Sequence, residues 1–288
     1  MERVYTKKNG TKVTRFDKDN AGFTSIELGD DPIKYGLIMI MPTSKESYAK
    51  NPVNLWEVPF VLKHEFGHHV FHHYVSDDSD AGGLHDHHMG DLSDILPSES
   101  SRVPRGDGMN LTSTSTAALG GINETFADLY AYFANDSAAG QVKGVECLHM
   151  SRDPASPTTR LGRVKKITTQ DLDIFEGRTD APEADDCGEP TFDDTHDIAM
   201  VLGHPLAKFI ETADPKGRGK DRAKHLMNWA VEIQKIVDSG PSNVKLDNLV
   251  SALVKSVKGK TAATDFSSAC AGLKPAITGL KTATASCQ

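Results

Sequence analysis

The sequence predicts an α+β protein: a small N-terminal β-sheet, two helices that carry its polar motifs, and a mainly helical C-terminal lobe. Three observations lead there. Apolar and polar residues alternate within the first 45 residues, the apolar period lengthens to four from about Asn54, and the last third of the chain carries three successive helical stripes. With 288 residues, 38% of them hydrophobic and 25% charged, the chain can bury a substantial core and is too ordinary in composition for wholesale disorder.

Segments 4–6 and 11–14 flank Asn9-Gly10, a pair suited to a tight hairpin turn, and two further strands are expected at 23–28 and 35–41. In the first helix Val58, Leu62, Phe66 and Val70 form the apolar stripe, with Pro59 fitting the first turn. Residues 76–116 hold almost no periodic apolar pattern and many Ser, Asp, Gly and His, so they read as a long surface loop. The second helix, expected at 117–135, carries Ile122, Phe126, Leu129 and Phe133 on one stripe, and 139–194 is again irregular. From 193 onward the stripes are Ile198/Leu202/Leu206/Phe209, Leu226/Ala230/Ile233/Val237 and Leu246/Leu249/Leu253/Val257, separated by Gly or Pro. The organisation expected is 1–136 for sheet and motif helices and 137–288 for the helical lobe, with a cleft between them.

Forty acidic against 32 basic residues give a net charge of -8, and no basic stripe interleaves with aromatics, which argues against nucleic acid as a partner. The longest apolar stretch, 36–42, falls well short of the roughly 20 residues that cross a bilayer, so no membrane span is expected. The opening MERVYTKKNG lacks the apolar core of a secretory signal. Cys147, Cys187, Cys270 and Cys287 show no CxxC spacing but are even in number. Proximity in sequence favours Cys147 with Cys187 and Cys270 with Cys287 over the two other connectivities. The reading is a secreted or periplasmic protein in its mature form, without its signal sequence.

The first helix contains His64-Glu65-Phe66-Gly67-His68, an H-E-x-x-H pattern. Four residues turn a helix by about 400°, so both imidazoles point the same way and can grip one tetrahedral Zn²⁺. They lie about 200° around the helix from Leu62 and Phe66, so with that stripe buried the imidazoles are expected to face outward into the cleft. Glu65, about 100° off the His face, sits where a general base for a metal-activated water belongs. An extended motif with a third His needs Gly at 71 and His at 74, where the chain has Phe71 and Tyr74. The second helix supplies the alternative in Gly121-Ile122-Asn123-Glu124-Thr125-Phe126-Ala127-Asp128. Glu124 is able to complete a His₂Glu site, and Asp128, four residues on, to accept the other ring N–H of a liganding histidine.

These two motifs resemble those of the gluzincin zinc metallopeptidases, in particular the thermolysin-like metalloproteases, whose second motif helix carries N-E-x-x-x-D. The resemblance implies a zincin fold, with His64, His68 and Glu124 as zinc ligands, Glu65 as general base and Asp128 supporting a ligand. It further implies a histidine from the C-terminal lobe that steadies the oxyanion; His196, at a helix start beside carboxylates, is the first choice and His204 the rival. The reaction implied is hydrolysis of peptide bonds in a peptide or protein substrate. Strand 35–41 at the cleft edge would favour endopeptidase action, and the G-x-M-x-N stretch of the gluzincin aminopeptidases is not found. Two departures stand out: 55 residues separate His68 from Glu124, and only 63 precede His64.

Weaker signals remain. His85, His87 and His88 offer a second metal cluster against the plainer reading of a solvated loop, and Arg105-Gly106-Asp107 reads as chance. The acidic residues 183–194 offer material for Ca²⁺, which family members often carry, though without EF-hand spacing. A non-catalytic, His-rich zinc-binding or adhesion protein is the competing functional reading; an intact Glu65 between the two histidines speaks against it.

Overall fold

All three C-terminal stripes turn inward and supply part of the core. Leu202, Leu206 and Phe209, then Leu226, Ala230 and Ile233, then Leu249, Leu253 and Val257 are all buried. The structure is a computed structural model that describes residues 2–6, 12–16, 21–27, 34–40, 58–75, 113–136, 154–155 and 195–288. Its helices are α1 (Pro59–Tyr74), α2 (Ser113–Ala134), α3 (Thr195–Ala213), α4 (Gly219–Asp238), α5 (Leu246–Lys258), α6 (Ala263–Leu273) and α7 (Lys281–Ser286). α2 runs through the middle, buried from Ala118 to Phe133 except at the half-buried Tyr130, and packs against α1, α3 and α4.

The expectation of an α+β fold with an N-terminal β-sheet is corrected by this core, which is built from helices and the turns that join them. The described residues are all-α in their packing. Strands β1 (Glu2–Thr6) and β2 (Lys12–Phe16) pair antiparallel, as do β3 (Ala21–Glu27) and β4 (Lys34–Ile40), but the two pairs are separate two-stranded ribbons. Alternation predicts local strand conformation but not how many strands associate, and a two-stranded ribbon is too small to form a layer of its own. β3 and β4 instead lie against α1, with Ile40 partly buried on the helical core.

Close helix approach is set by glycine at two places. A Cβ on Gly121 would lie 2.4 Å from Ile198 Cδ1, so glycine lets α3 seat against α2. On the other side of α2, a Cβ on Gly67 would lie 2.8 Å from Ala127 Cα, so α1 and α2 meet nearly backbone to backbone. Lys63 reinforces that contact: its ammonium reaches the Ala134 carbonyl at 3.0 Å and also the Asn135 side chain, placing a cation at the negative end of α2.

The C-terminal end is tied by a Cys270–Cys287 disulfide, as sequence proximity suggested. Beside it, Asp247 accepts the backbone N–H groups of Thr282 and Ala283 and so caps α7 from α5. Removing the bridge with Cys270→Ala and Cys287→Ala should lower the unfolding free energy by about 3 kcal/mol, chiefly by freeing the unfolded chain. Denaturant titration checks this, and an unchanged midpoint would show the bridge to be idle.

α4 is anchored by Trp229, whose indole N–H donates to the Leu249 carbonyl at 2.7 Å and whose ring lies 6.3 Å from that of Phe126. One turn earlier, burial pushes the His225 imidazole below the usual histidine range; Asp214, 3.5 Å away, opposes the shift and Lys260 adds to it. The unfolded chain thus takes up a proton more readily than the folded one. This contribution to stability is complete above about pH 6.5 and is lost as pH falls through that value toward the lower folded pKa. Urea midpoints taken at about pH 7.5 and about pH 5.5 should therefore fall less for His225→Gln than for the parent chain. An equal fall in both proteins would remove His225 from the acid response.

Candidate metal centre

α1 begins at Pro59 after the extended residue Val58 and buries Phe60, Val61, His64, Glu65, Gly67, His68 and Phe71. This reverses the expected facing of the helix. Leu62 and Phe66 are 49% and 44% exposed, whereas His64 and His68 are 6% and 3% exposed. The helix has apolar residues on two faces, and the face that carries the histidines is the one turned toward α2. Phe66 stays outside, its ring 5.5 Å from His69 and 6.0 Å from Tyr130. The imidazoles thus sit inside a helix–helix contact rather than on an open rim.

From α2 come Glu124 and Asp128, 2% and 1% exposed. The two ring Nε2 atoms face each other at 3.0 Å; Glu124 Oε2 lies 3.4 Å from His64 Nε2, and Glu124 Oε1 lies 3.6 Å from His68 Nε2. The outer nitrogens are held as well. His64 Nδ1 lies 2.9 Å from Asp128 Oδ1, and His68 Nδ1 lies 2.9 Å from Asn123 Oδ1. Both oxygens are acceptors beside ring nitrogens, and a proton on each Nδ1 would leave both Nε2 lone pairs free to take a metal ion.

Two facing imidazole lone pairs with carboxylate oxygens beside them suit a cation at their common focus. Tetrahedral ligands at about 2.0 to 2.1 Å from a metal stand about 3.3 Å apart, close to the separations found here. One donor atom from each of His64, His68 and Glu124 lies within 4.8 Å of the others, and among the described residues this buried group is able to hold a metal ion. Gly67 is what permits it: a larger residue would push α1 off Ala127 and widen the gap between the histidines and Glu124.

Of the residues expected at the site, His64, His68, Glu124 and Asp128 are brought together, and Glu65 is buried on the same helix at 4% exposure. His196 is the second residue of α3, and its side chain lies outside the described residues. The rival, His204, donates from Nδ1 to the Pro154 carbonyl at 2.8 Å. Asn123 is the participant that sequence reasoning left without a role, although it stands directly before Glu124 in the second motif. The His85/His87/His88 cluster, the Arg105-Gly106-Asp107 triplet, the acidic run 183–194 and the Cys147–Cys187 pairing lie outside the described residues. No helix among the described residues is long and apolar enough to cross a membrane, and the Cys270–Cys287 bridge is compatible with an extracellular protein. No known protein family, characterised protein or solved structure matches the chain.

Proposed function

We propose that the chain is a zinc-dependent metallopeptidase, similar in its site, though not in an N-terminal sheet, to the gluzincins. The observation that carries this reading is the buried convergence of His64, His68 and Glu124, with Glu65 placed between the two histidines in sequence. The donor set, two imidazoles and one carboxylate, is that of catalytic zinc, which keeps a coordination position open for water or substrate. Bound zinc supplies Lewis-acid polarisation of a carbonyl and brings the pKa of water down to about 7.

The protein's own residues supply the rest. Asp128 and Asn123, each 2.9 Å from an Nδ1, are assigned to orient the imidazoles so that Nε2 faces inward. Glu65 takes the proton of the attacking water and returns it to the leaving amine. His196 is assigned to donate to the developing negative charge on the carbonyl oxygen. β4 pairs with β3 on one side only among the described strands and lies against α1, which supports an extended substrate segment running beside it and hence endopeptidase action. The disulfide supports a secreted or periplasmic site of action.

Casein hydrolysis by the purified chain, with and without a chelator and then with zinc restored, tests the reading. Cleavage that stops on chelation and returns with zinc supports it. Stoichiometric zinc with no cleavage of casein or of a peptide mixture would favour a zinc-binding protein without turnover.

A further inference from the structure

The contact between α1 and α2 differs from the others around α2 in what it buries. α3 meets α2 through Gly121 and Ile198, with one hydrogen bond from the Tyr132 hydroxyl to Glu211 at 2.8 Å, and α4 meets it through Trp229 and Phe126. At the centre of the α1 contact, Gly67 lies so close to Ala127 that no apolar side chain fits between the helices. Around that point stand His64, Glu65, His68, Asn123, Glu124 and Asp128, each 6% exposed or less. Apolar support comes from Phe60 and Val61 toward the start of α1 and from Phe71 further along, its ring 5.2 Å from that of Phe126.

Burying imidazoles and carboxylates together is unfavourable unless charge and hydrogen bonding are satisfied. With Asp128 beside His64 Nδ1 and Asn123 beside His68 Nδ1, the facing Nε2 atoms at 3.0 Å and the Glu124 oxygens at 3.4 and 3.6 Å bring metal-donor atoms to one point. A divalent cation there gives the two imidazoles and the buried carboxylate one common partner. Because the ligands come from two helices, the free energy of binding the ion is also free energy of docking those helices.

Resting on the metal-site reading above, we propose that a divalent metal ion is the staple that docks α1 onto the rest of the helical body. When the ion is removed, α1 separates from α2, while α2 to α7 stay folded through their apolar contacts and the disulfide. Site assembly and metal loading are then one event.

Hydrogen exchange of the full chain, loaded with zinc or stripped with EDTA, tests this, with bound zinc counted by metal analysis. At free zinc about 100 times its Kd, the undocked population falls about 100-fold, and exchange of α1 amides slows by the same factor. Amides of α5 exchange at the same rate in both samples. One zinc per chain with α1 equally protected before and after stripping overturns the staple and leaves the peptidase reading standing. A chain that binds no zinc overturns both. In the zinc-free state, Glu124→Gln with Asp128→Asn, which removes two buried charges at nearly constant shape, is expected to restore part of the α1 protection. Equal opening in that variant and in the parent overturns the charge argument.

Discussion

Glu65→Gln is expected to reduce peptide hydrolysis by about 10² to 10⁴-fold, the usual span for loss of a positioned general base, while about one zinc per chain remains bound. The amide keeps the shape of the carboxylate, so a buried residue at 4% exposure is replaced without opening a cavity. It cannot take a proton from water. The two readouts separate the roles available to Glu65: activity lost with zinc retained marks a base, whereas activity and zinc lost together mark a ligand. Full activity in Glu65→Gln would end the proposed mechanism.

Glu124→Ala should have the larger effect on the metal itself. It removes the one anionic ligand of the buried group and leaves the two Nε2 atoms, 3.0 Å apart, to hold the ion alone. Zinc affinity and hydrolysis should fall together. Asp128→Ala acts one step further out: His64 loses the carboxylate 2.9 Å from its Nδ1, and with it a neighbour that orients the ring. A loss of about 10- to 100-fold in zinc affinity or activity is expected there. Zinc titration of the purified variants checks both. Unchanged affinity in Glu124→Ala would move the third ligand elsewhere, with His85, His87 and His88 the first to be tried.

How legible the site was depends on how local its geometry is. His64 with His68 and Glu124 with Asp128 are each four residues apart on a helix, and that spacing alone puts each pair on one face. Their meeting across two helices was expected because a His₂ pair lacks a third ligand and because the second motif resembles that of the gluzincins. Asn123 was harder to read. An amide beside a ligand has no pattern of its own until the partner ring is seen 2.9 Å away.

By itself the sequence determined helices α1 to α5, the inward stripes of α3 to α5, the Cys270–Cys287 bridge and the paired polar residues of α1 and α2, because each depends on neighbours within a few turns or on short chain separation. Only the tertiary structure decided that the N-terminal strands form two separate ribbons and that the helices make the core. Only the tertiary structure, again, decided which side of α1 turns inward. Val61 and Phe71 mark one apolar side, Leu62 and Phe66 another, and periodicity cannot choose between them. The choice is made by what α2 presents: Ala127 opposite Gly67 allows close approach, and Glu124, Asp128 and Asn123 supply partners without which two histidines could not be buried.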